Sequence, residues 1–522
     1  MHLSLSSPSI QKLGEDARRV LAIIAFLPQG LHDDLASDLL PSLPQADTIC
    51  DVLCRQSLVY RQDSFIKMLA PIRYYVQDSL PPPDPISLQE IRAFYYHTIE
   101  QCSRQRDNYA DIVISDHLNI EHVVSFDLAH ISDGTGDTYN ACSQFLWFLQ
   151  LHLPRPTTLT PAIFNIAESP STWTQKACCL WYLGTLYGLL SQLTEMMKAF
   201  KAAEALYLTA GEHENAAHCV TSCADIYRTQ GRFIQSQQVL EDFQRSDSWE
   251  HLSESSRAEA WYILDKARMY TFTASADELF VKSLEDHNCG LQSKVWHWAA
   301  KLYYGGDIVQ AKMHLENVLL QCTHLEDCKA ARHVLAEAAL FEGRLSEAMD
   351  NLQKIIQESD LEGRDPESVL WYGTWKGVVA SKQGNYDLAR DFIRKASGPF
   401  KFFELHNALT FLRISYDSAH IELTAGEYDI AESKFAATIE GCDMQDHLLY
   451  KGFSVRGLGE IAFARGNFAL AAEHFAKTRS LCAEMGLPPK KFYTCFPFSA
   501  LPERFEGWAL FLEGQSPFTN IM

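Results

Sequence analysis

The sequence predicts an all-α chain, most of it an α-solenoid of about seven or eight helical hairpins that follow a small N-terminal domain. The first observation is a phrase, Gly-x-(aromatic or aliphatic)-x-x-Ala, that recurs with a period near 40 residues. The second is a small residue seven positions before each copy, and the third is a large apolar residue nine positions after it. A steady period of roughly 20 to 50 residues is typical of solenoids.

Length and charge agree with such an array. The chain has 522 residues, which exceeds what one hydrophobic core usually serves, and 47% of them are hydrophobic. These values favour several folded units or a repeat array over a disordered chain. The net charge is −21. We expect no nucleic-acid partner, because a phosphate-binding surface needs clustered Lys and Arg.

The cysteine pattern and the hydropathy of the sequence indicate the cellular compartment. Fourteen cysteines are scattered without a Cys-x-x-Cys pair, so we expect reduced cysteines in small core positions and a cytoplasmic protein. The apolar run Val20–Leu27 is too short to cross a bilayer and follows Glu15 and Asp16, so it predicts a core helix. We therefore expect no membrane partner.

Residues 1–82 show a pattern of three helices, a β-hairpin and a fourth helix. The first helix opens at Ser6-Ser7-Pro8 and stops at Pro28-Gln29-Gly30. The other predicted elements are helices at about 32–40, about 45–56 and Pro71–Asp78, and strands Leu58–Tyr60 and Ser64–Ile66 joined by a turn at Arg61–Asp63. This order predicts a winged-helix domain. DNA binding is disfavoured, since the segment has seven basic and nine acidic residues.

Several stretches of this segment carry a family resemblance. They are Leu21–Leu27, Pro28-Gln29-Gly30-Leu31, Leu53–Tyr60 and Met68–Tyr75. They resemble the winged-helix segment of STAND-class ATPases, and more narrowly that of fungal NLR-like proteins. In that family an NTPase module and a winged helix precede tetratricopeptide repeats. The resemblance implies a regulatory or sensor part of a signalling protein.

The chain departs from that family at two points. The family's last winged-helix helix begins with a Met-His-Asp motif whose His senses nucleotide, but the matching positions here are Met68, Leu69 and Ala70. Leucine cannot hydrogen-bond a phosphate, so no site is carried over. No Gly-x-x-x-x-Gly-Lys-(Ser/Thr) phosphate loop occurs in the sequence. The resemblance therefore covers only the winged helix and the repeats, and an NTPase module outside this chain is a candidate partner.

Residues 83–174 predict a helical linker region. Helical periodicity covers Ser87–Arg106, Asn119–Phe126 and Asn140–Leu151. The Pro- and Thr-rich stretch Pro154–Pro161 marks a boundary. Leu118-Asn119-Ile120-Glu121 resembles a segment at the same junction in the family.

The repeat array is predicted over residues 175–487. Its turn phrases lie at Ser191–Met196, Gly231–Ser236, Gly306–Ala311, Gly343–Ala348, Gly384–Ala389, Gly426–Ala431 and Gly466–Ala471. The small residues before them are Gly184, Ala224, Ala299, Ala336, Gly377, Ala419 and Gly459. The large residues after them are Phe200, Leu240, Leu315, Leu352, Ile393, Phe435 and Phe475. We infer that the small residues let two antiparallel helices approach closely. The combined pattern matches tetratricopeptide repeats that are longer than usual.

Two further segments complete the array. A degenerate turn is expected near Ala274–Leu279, because Gly231 and Gly306 are two repeat lengths apart. Residues 488–522 are predicted to hold a capping helix, Pro502–Leu512, and a tail.

The resemblance to tetratricopeptide repeats implies that the first helix of each hairpin lines a concave face. Exposed Trp, Tyr and Arg are typical of binding hot spots. The spacing predicts a partner-binding groove formed by Trp181, Arg228, Trp296, Tyr303, His333, Trp371, Arg413, Tyr416 and Arg456, with Asp225, Glu337, His420 and Glu460 nearby. The alternative is that some of these residues, Trp296 and Trp371 above all, pack between neighbouring helices.

No catalytic, cofactor or metal site is predicted. His213 with His218, and His287 near Cys289, are the close His/Cys groupings, and neither has a third partner at a sensible spacing. A carboxylate clamp of the type that holds chaperone C-termini is disfavoured, because no Asn follows the small residues. We expect a noncatalytic module that binds a protein or peptide. The alternative is a fragment of an active STAND ATPase whose nucleotide-binding module is missing from this chain.

Overall fold

The computed structural model describes residues 8–103, 109–130, 136–153, 155–168, 170–190, 192–271, 308–321, 325–361, 366–397 and 408–487. The chain forms two compact units, Met1–Tyr187 and Gly188–Met522. The predicted boundaries at 82/83 and 174/175 stay predictions.

The first unit begins with short helices and three short strands. These elements are α1 (Pro8–Phe26), β1 (Leu31–His32), a 3-10 turn (Asp33–Leu35), α2 (Ala36–Leu39), α3 (Ala46–Arg55), β2 (Tyr60–Gln62), β3 (Phe65–Lys67) and α4 (Ala70–Ser79). The strands form an antiparallel sheet in the order β1-β3-β2. Helix α1 buries Val20, Leu21 and Ile24 completely, so the apolar run is a core helix.

Two details of this region differ from the sequence prediction. The helix predicted over 32–40 is α-helical only over Ala36–Leu39, because His32 pairs with Phe65 in the sheet and Asp33–Leu35 form the 3-10 turn. The turn predicted at Arg61–Asp63 lies instead at Asp63 and Ser64, which have φ of 52° and 61°. A two-residue type I′ hairpin turn needs positive φ at both central residues. Strand β2 therefore lies two positions later than predicted, and β3 lies one position later.

Four more helices complete the first unit. They are α5 (Pro85–Ser103), α6 (Ala110–His130), α7 (Gly136–His152) and α8 (Leu159–Phe164). Helix α6 is held by the loop after α1: the Gln29 N–H donates to Asn119 Oδ1 at 2.9 Å, and Asn119 Nδ2 donates to the Gly30 carbonyl at 2.9 Å. The region predicted as a linker therefore packs on the N-terminal helices.

The remaining helices follow one another along the chain, and several successive pairs of the second unit pack as hairpins. They are α9 (Trp173–Leu189), α10 (Leu193–Ala210), α11 (His213–Thr229), α12 (Phe233–Gln244), α13 (Glu254–Thr271), α14 (Ile308–Gln321), α15 (Leu325–Phe341), α16 (Leu345–Leu361), α17 (Pro366–Lys382), α18 (Tyr386–Ser397), α19 (Ala408–Ala425), α20 (Tyr428–Met444), α21 (Leu448–Ala464) and α22 (Phe468–Met485). The predicted tetratricopeptide-type solenoid is confirmed.

The turn phrase does what its sequence predicts. Its aromatic or aliphatic residue is the first residue of the second helix, as at Phe233, Tyr386 and Phe468. Its glycine adopts positive φ in five described turns, Gly231 (80°), Gly343 (70°), Gly384 (76°), Gly426 (83°) and Gly466 (76°). Residues with a Cβ rarely adopt this conformation, which is why glycine recurs there.

The small residues lie where the two helices of a hairpin cross. A Cβ added at Gly459 would lie 2.6 Å from Cε1 of Phe475, the large apolar residue of the following helix. Where the phrase ends in Ser236 instead of Ala, the Ser hydroxyl is buried and donates to the Ala224 carbonyl at 2.7 Å. The crossing residues are therefore small because of helix packing.

Some predicted features lie outside the described residues. They are the degenerate turn near Ala274–Leu279, the small residue Ala299 and the capping helix Pro502–Leu512. Cys328 is disulfide-bonded, so the expectation of reduced cysteines is wrong at this position. Within the described residues, no helix is long and apolar enough to cross a membrane.

Candidate functional site

Equivalent positions of successive first helices bring aromatic and charged side chains together in the second unit. Ten and six residues before the turn glycine lie His333 and Glu337 on α15, Thr374 and Val378 on α17, Tyr416 and His420 on α19, and Arg456 and Glu460 on α21. Residues four apart lie on one side of a helix. We name the set His333, Trp375, Arg413, Tyr416, Phe453 and Arg456 the first-helix cluster; of these, Trp375 lies nine residues before its turn glycine, and Arg413 and Phe453 lie thirteen before theirs.

The first half of the cluster joins α15, α17 and α19. The His333 ring meets the Trp375 ring edge to face, with centroids 5.0 Å apart. The Arg413 guanidinium lies 4.7 Å from the centroid of the same indole. A cation over an aromatic ring is attracted by its quadrupole, and more strongly where water is excluded. Trp375 therefore links a histidine and an arginine from two neighbouring hairpins.

The second half joins α19 and α21. Tyr416 packs on Phe453 with ring centroids 5.4 Å apart, and the Arg456 guanidinium lies 5.9 Å from the Phe453 centroid. Arg456 Nε also lies 3.1 Å from the Glu460 carboxylate, one helical turn away. The cluster thus runs without interruption across four first helices.

Burial distinguishes this cluster from an open groove. Arg413 is 8% exposed, and Tyr416 and Arg456 are each 2% exposed. In this structure their side chains pack between neighbouring helices, which was the alternative interpretation of the sequence pattern. Their role in partner binding stays a prediction.

Burial shifts the pKa values of His333 in the cluster and of Glu337 and His420 beside it toward the uncharged forms. Burial raises the pKa of Glu337 to about 8, against the opposing effect of Arg413. Burial also lowers the pKa of His333 and of His420 to about 3, with nearby Arg charges acting in the same direction. His333 Nε2 lies 3.5 Å from Glu337 Oε1, one helical turn away.

The arginines keep their charge and face carboxylates. Burial alone would lower the pKa of Arg413, but Tyr450 and Asp417 reverse this effect, and the pKa lies above its ordinary value. Arg413 Nε lies 3.1 Å from Asp417 Oδ2. Each buried arginine therefore has a carboxylate one helical turn away on its own helix, which limits the cost of burying the charge.

The structure does not unite every residue of the predicted groove. Trp181 belongs to the first unit, where it packs on Tyr182 with ring centroids 5.0 Å apart. Arg228 lies on α11, and its Nε donates to Asp225 Oδ1 at 2.7 Å. Trp296 and Tyr303 lie outside the described residues, as does the side chain of Trp371.

Sequence reasoning missed Trp375, Asp417 and Phe453. Trp375 lies one turn after Trp371 and Asp417 one turn after Arg413, so an i, i+4 search around the chosen residues would have found both. Phe453 lies thirteen residues before Gly466, the position that Arg413 holds before Gly426 and Trp371 before Gly384, so alignment of the repeats would have found it.

The described residues were also inspected for groupings that could support catalysis or hold a metal ion. Among the described residues, no group of three or more His, Cys, Asp or Glu side chains could hold a metal ion. His218 Nδ1 lies 3.2 Å from a Glu259 carboxylate oxygen, and both side chains are half-exposed on neighbouring first helices. This pair raises the pKa of His218 through its hydrogen bond to Glu259, which is typical of a surface ion pair.

The chain was compared with known proteins. No protein-family profile and no curated protein matches it. Among solved structures it is similar to a Rap protein complexed with Competence and Sporulation Factor (11% identity, 76% of this chain and 98% of that chain, TM-score 0.45). It is also similar to a STAND protein with a tetratricopeptide repeat sensor from Pyrococcus horikoshii (11% identity, 97% and 65%, TM-score 0.35). A third is human IFIT1 with PPP-AAAA (14% identity, 76% and 91%, TM-score 0.42). None of the three reaches a TM-score of 0.5, so none assigns a ligand or an activity to this chain.

Proposed function

We propose that this chain is a noncatalytic interaction module whose solenoid binds a peptide or protein segment along its first helices. The observation that carries the proposal is the first-helix cluster, which places aromatic rings and two arginines from four successive hairpins in one continuous row. Stacked hairpins offer an extended surface to a chain-like partner. Trp, Tyr and Arg supply most of the binding energy at such surfaces.

We also propose that the module is the sensor part of a STAND-like signalling protein. The order of elements in the first unit, helix, strand, two helices, two strands and a helix, supports the winged-helix interpretation. In this scheme the solenoid binds a partner, and the winged helix transmits the change to an NTPase module outside this chain. The module acts in the cytoplasm without a cofactor, and the net charge of −21 favours protein over nucleic acid as its partner.

A displayed peptide library tests the proposal. The purified chain is used to select binders from a library of random peptides, and the selected peptides are measured by calorimetry. We expect peptides that bind the wild-type chain and lose about tenfold or more in affinity on Arg456→Ala, as expected for an arginine hot spot. Failure to select any peptide, or binding that is unaffected by substitutions in the cluster, would contradict the proposal.

Controls separate binding from folding. Arg465→Ala removes a partly exposed arginine that follows α21 and pairs with Glu432 of α20 at 2.6 Å, so it should leave peptide affinity unchanged. Tyr416→Phe removes one hydroxyl while keeping the ring, which serves if Arg456→Ala does not fold. Thermal melting of every variant is recorded beside its affinity.

A further inference from the structure

Two parts of the solenoid that are far apart in sequence meet directly. The Leu448 N–H donates to the Gln230 carbonyl at 2.8 Å. Arg232 Nη2 donates to Asp446 Oδ1 at 2.5 Å, and Gln230 Nε2 donates to the Gln445 carbonyl at 3.4 Å. We call this contact the clasp: Gln230–Ile234 on one side, and Gln445–Leu449 with Glu484–Gly486 on the other.

The two sides of the clasp fit closely. A Cβ added at Gly231 would lie 2.9 Å from the Leu449 backbone nitrogen. On the other edge, a Cβ added at Gly486 would lie 2.7 Å from Cγ1 of Ile234. Both glycines adopt positive φ, 80° and 76°. Backbone therefore approaches the opposite side at two points where no side chain intervenes.

The clasp adds a constraint that hairpin stacking does not require. In a solenoid each hairpin contacts only its neighbours, and stability is roughly a sum of hairpin and neighbour terms. Helices α11 and α12 are separated from α20 to α22 by several hairpins along the chain. Losing the clasp therefore leaves every neighbour contact in place, so the two sides can separate without unfolding.

The polar part of the clasp contributes little stability. The Arg232 side chain is 19% exposed and the Asp446 side chain 60% exposed, and ion pairs open to solvent are weak. Asp446 has a positive φ of 54°, a conformation that costs energy for a residue with a Cβ. The clasp is held mainly by Phe233 and Leu448, which are buried in a shared apolar cluster.

That apolar cluster connects the clasp to the candidate site. Phe233 and Leu448 belong to the same buried cluster as Tyr416 and Phe453 of the first-helix cluster. Separation at Phe233 and Leu448 would expose the edge of this cluster. We propose that the clasp is a reversible closure of the solenoid, which covers the edge of the apolar cluster that holds Tyr416 and Phe453 and exposes this edge when a partner replaces the Phe233 and Leu448 contacts. Only the last clause rests on the proposed function, because opening itself can be measured without a partner.

Hydrogen exchange read by mass spectrometry tests the closure. The reporter is the Leu448 amide, whose N–H donates across the clasp, followed in a peptide that covers 444–450. Arg232→Glu places two like charges together at Asp446, so we expect exchange in this peptide to be on the order of tenfold faster than in the wild type. Asp446→Asn should act in the same direction with a smaller effect, because it removes the pair without adding repulsion.

Two references make the result decisive. The peptide 422–430 covers the Gly426 turn, which the clasp does not include, and its exchange should stay unchanged. The control variant Arg465→Glu breaks the pair between Arg465 and Glu432 on neighbouring helices, and it should leave the 444–450 peptide unchanged. Unaltered exchange at 444–450 in Arg232→Glu would overturn the proposal. Equal acceleration in both peptides would also overturn it, since the clasp would then belong to one cooperative unit with the hairpins.

Discussion

The turns at Gly231 and Gly384 share one local design and differ in their surroundings. Their φ values are 80° and 76°, and in each the glycine N–H donates three residues back, to Arg228 at 3.0 Å and to Ser381 at 2.9 Å. A Cβ at Gly384 would meet no described atom within 4 Å, whereas one at Gly231 would meet the Leu449 backbone. Local sequence therefore determines the turn but not what packs on it.

The residue after the glycine also has a different role in each of the two turns. Asn385 caps its helix, because its Oδ1 accepts from the Leu388 N–H at 3.2 Å. Arg232 holds the same position, makes no side-chain cap and pairs with Asp446 instead. One turn thus uses this position for its own helix, and the other uses it for the clasp.

The largest expected effect concerns His447, which lies in the clasp and has no counterpart at the Gly384 turn. Burial lowers the pKa of His447 to about 4, against an ordinary value of 6.5. Between pH 6.5 and about 4, His447 is therefore protonated in the unfolded chain but neutral in the folded chain. The free energy of unfolding falls as the pH drops through this range. The expected loss from this group is about 3 kcal/mol.

Urea unfolding at a series of pH values checks this effect, with His447→Asn as the matched variant. Asparagine can still accept the hydrogen bond that His447 Nδ1 accepts from the Tyr450 N–H at 3.4 Å, but it does not titrate. The difference in the free energy of unfolding between the two proteins should shrink as pH falls from 6.5 to 4. A difference that stays constant with pH would show that His447 is not held neutral.

The second effect compares Gly384→Ala with Gly231→Ala. Both substitutions place a Cβ at positive φ, which should lower the free energy of unfolding by about 1 kcal/mol. Gly231→Ala should cost about 2 kcal/mol more, because the Cβ also overlaps the Leu449 backbone. Equal losses in urea unfolding would mean that the clasp is open in solution.

The smallest effect concerns helix capping. Asn385→Ala should lower the free energy of unfolding by about 1 kcal/mol, since it removes an N-cap acceptor. Asn385→Asp keeps the acceptor and should leave stability nearly unchanged. Arg232→Ala should cost less than Asn385→Ala, because Arg232 provides no cap and its ion pair is partly exposed. A larger loss for Arg232→Ala would indicate a stronger clasp than the ion pair suggests.

Features set by local sequence could be predicted, whereas features set by packing between distant segments could not. The hairpins could be predicted because Gly384, Tyr386 and Ala389 repeat with the fold's own period. Strand β1 could not, because Leu31 becomes a strand only through its pairing with Ile66. Of the candidate site, Arg413 and Tyr416 were found from their helix positions, but their burial follows from neighbouring hairpins that one repeat does not show.

The clasp lay beyond sequence reasoning for a related physical reason. The Gly231–Ser236 phrase ends in Ser instead of Ala, but nothing in its residues marks Leu448 as a partner. Contacts that depend on how several hairpins add up along the array have no local signal. Arg232 does not mark the clasp either, because Arg344 follows Gly343 in the same way and Glu427 after Gly426 also makes no side-chain cap.

Distance measurement across the clasp tests the central claim most directly. Spin labels are attached through non-canonical amino acids at Gln238 and Met444, which are both exposed and flank the two sides. Pulsed dipolar spectroscopy should give one narrow, short distance distribution for the wild-type labelled chain. With Arg232→Glu added, a second population at longer distance should appear while thermal melting stays close to that of the wild type. A broad or long distribution in the wild-type chain, or one that changes only when the protein melts, would contradict a reversible closure.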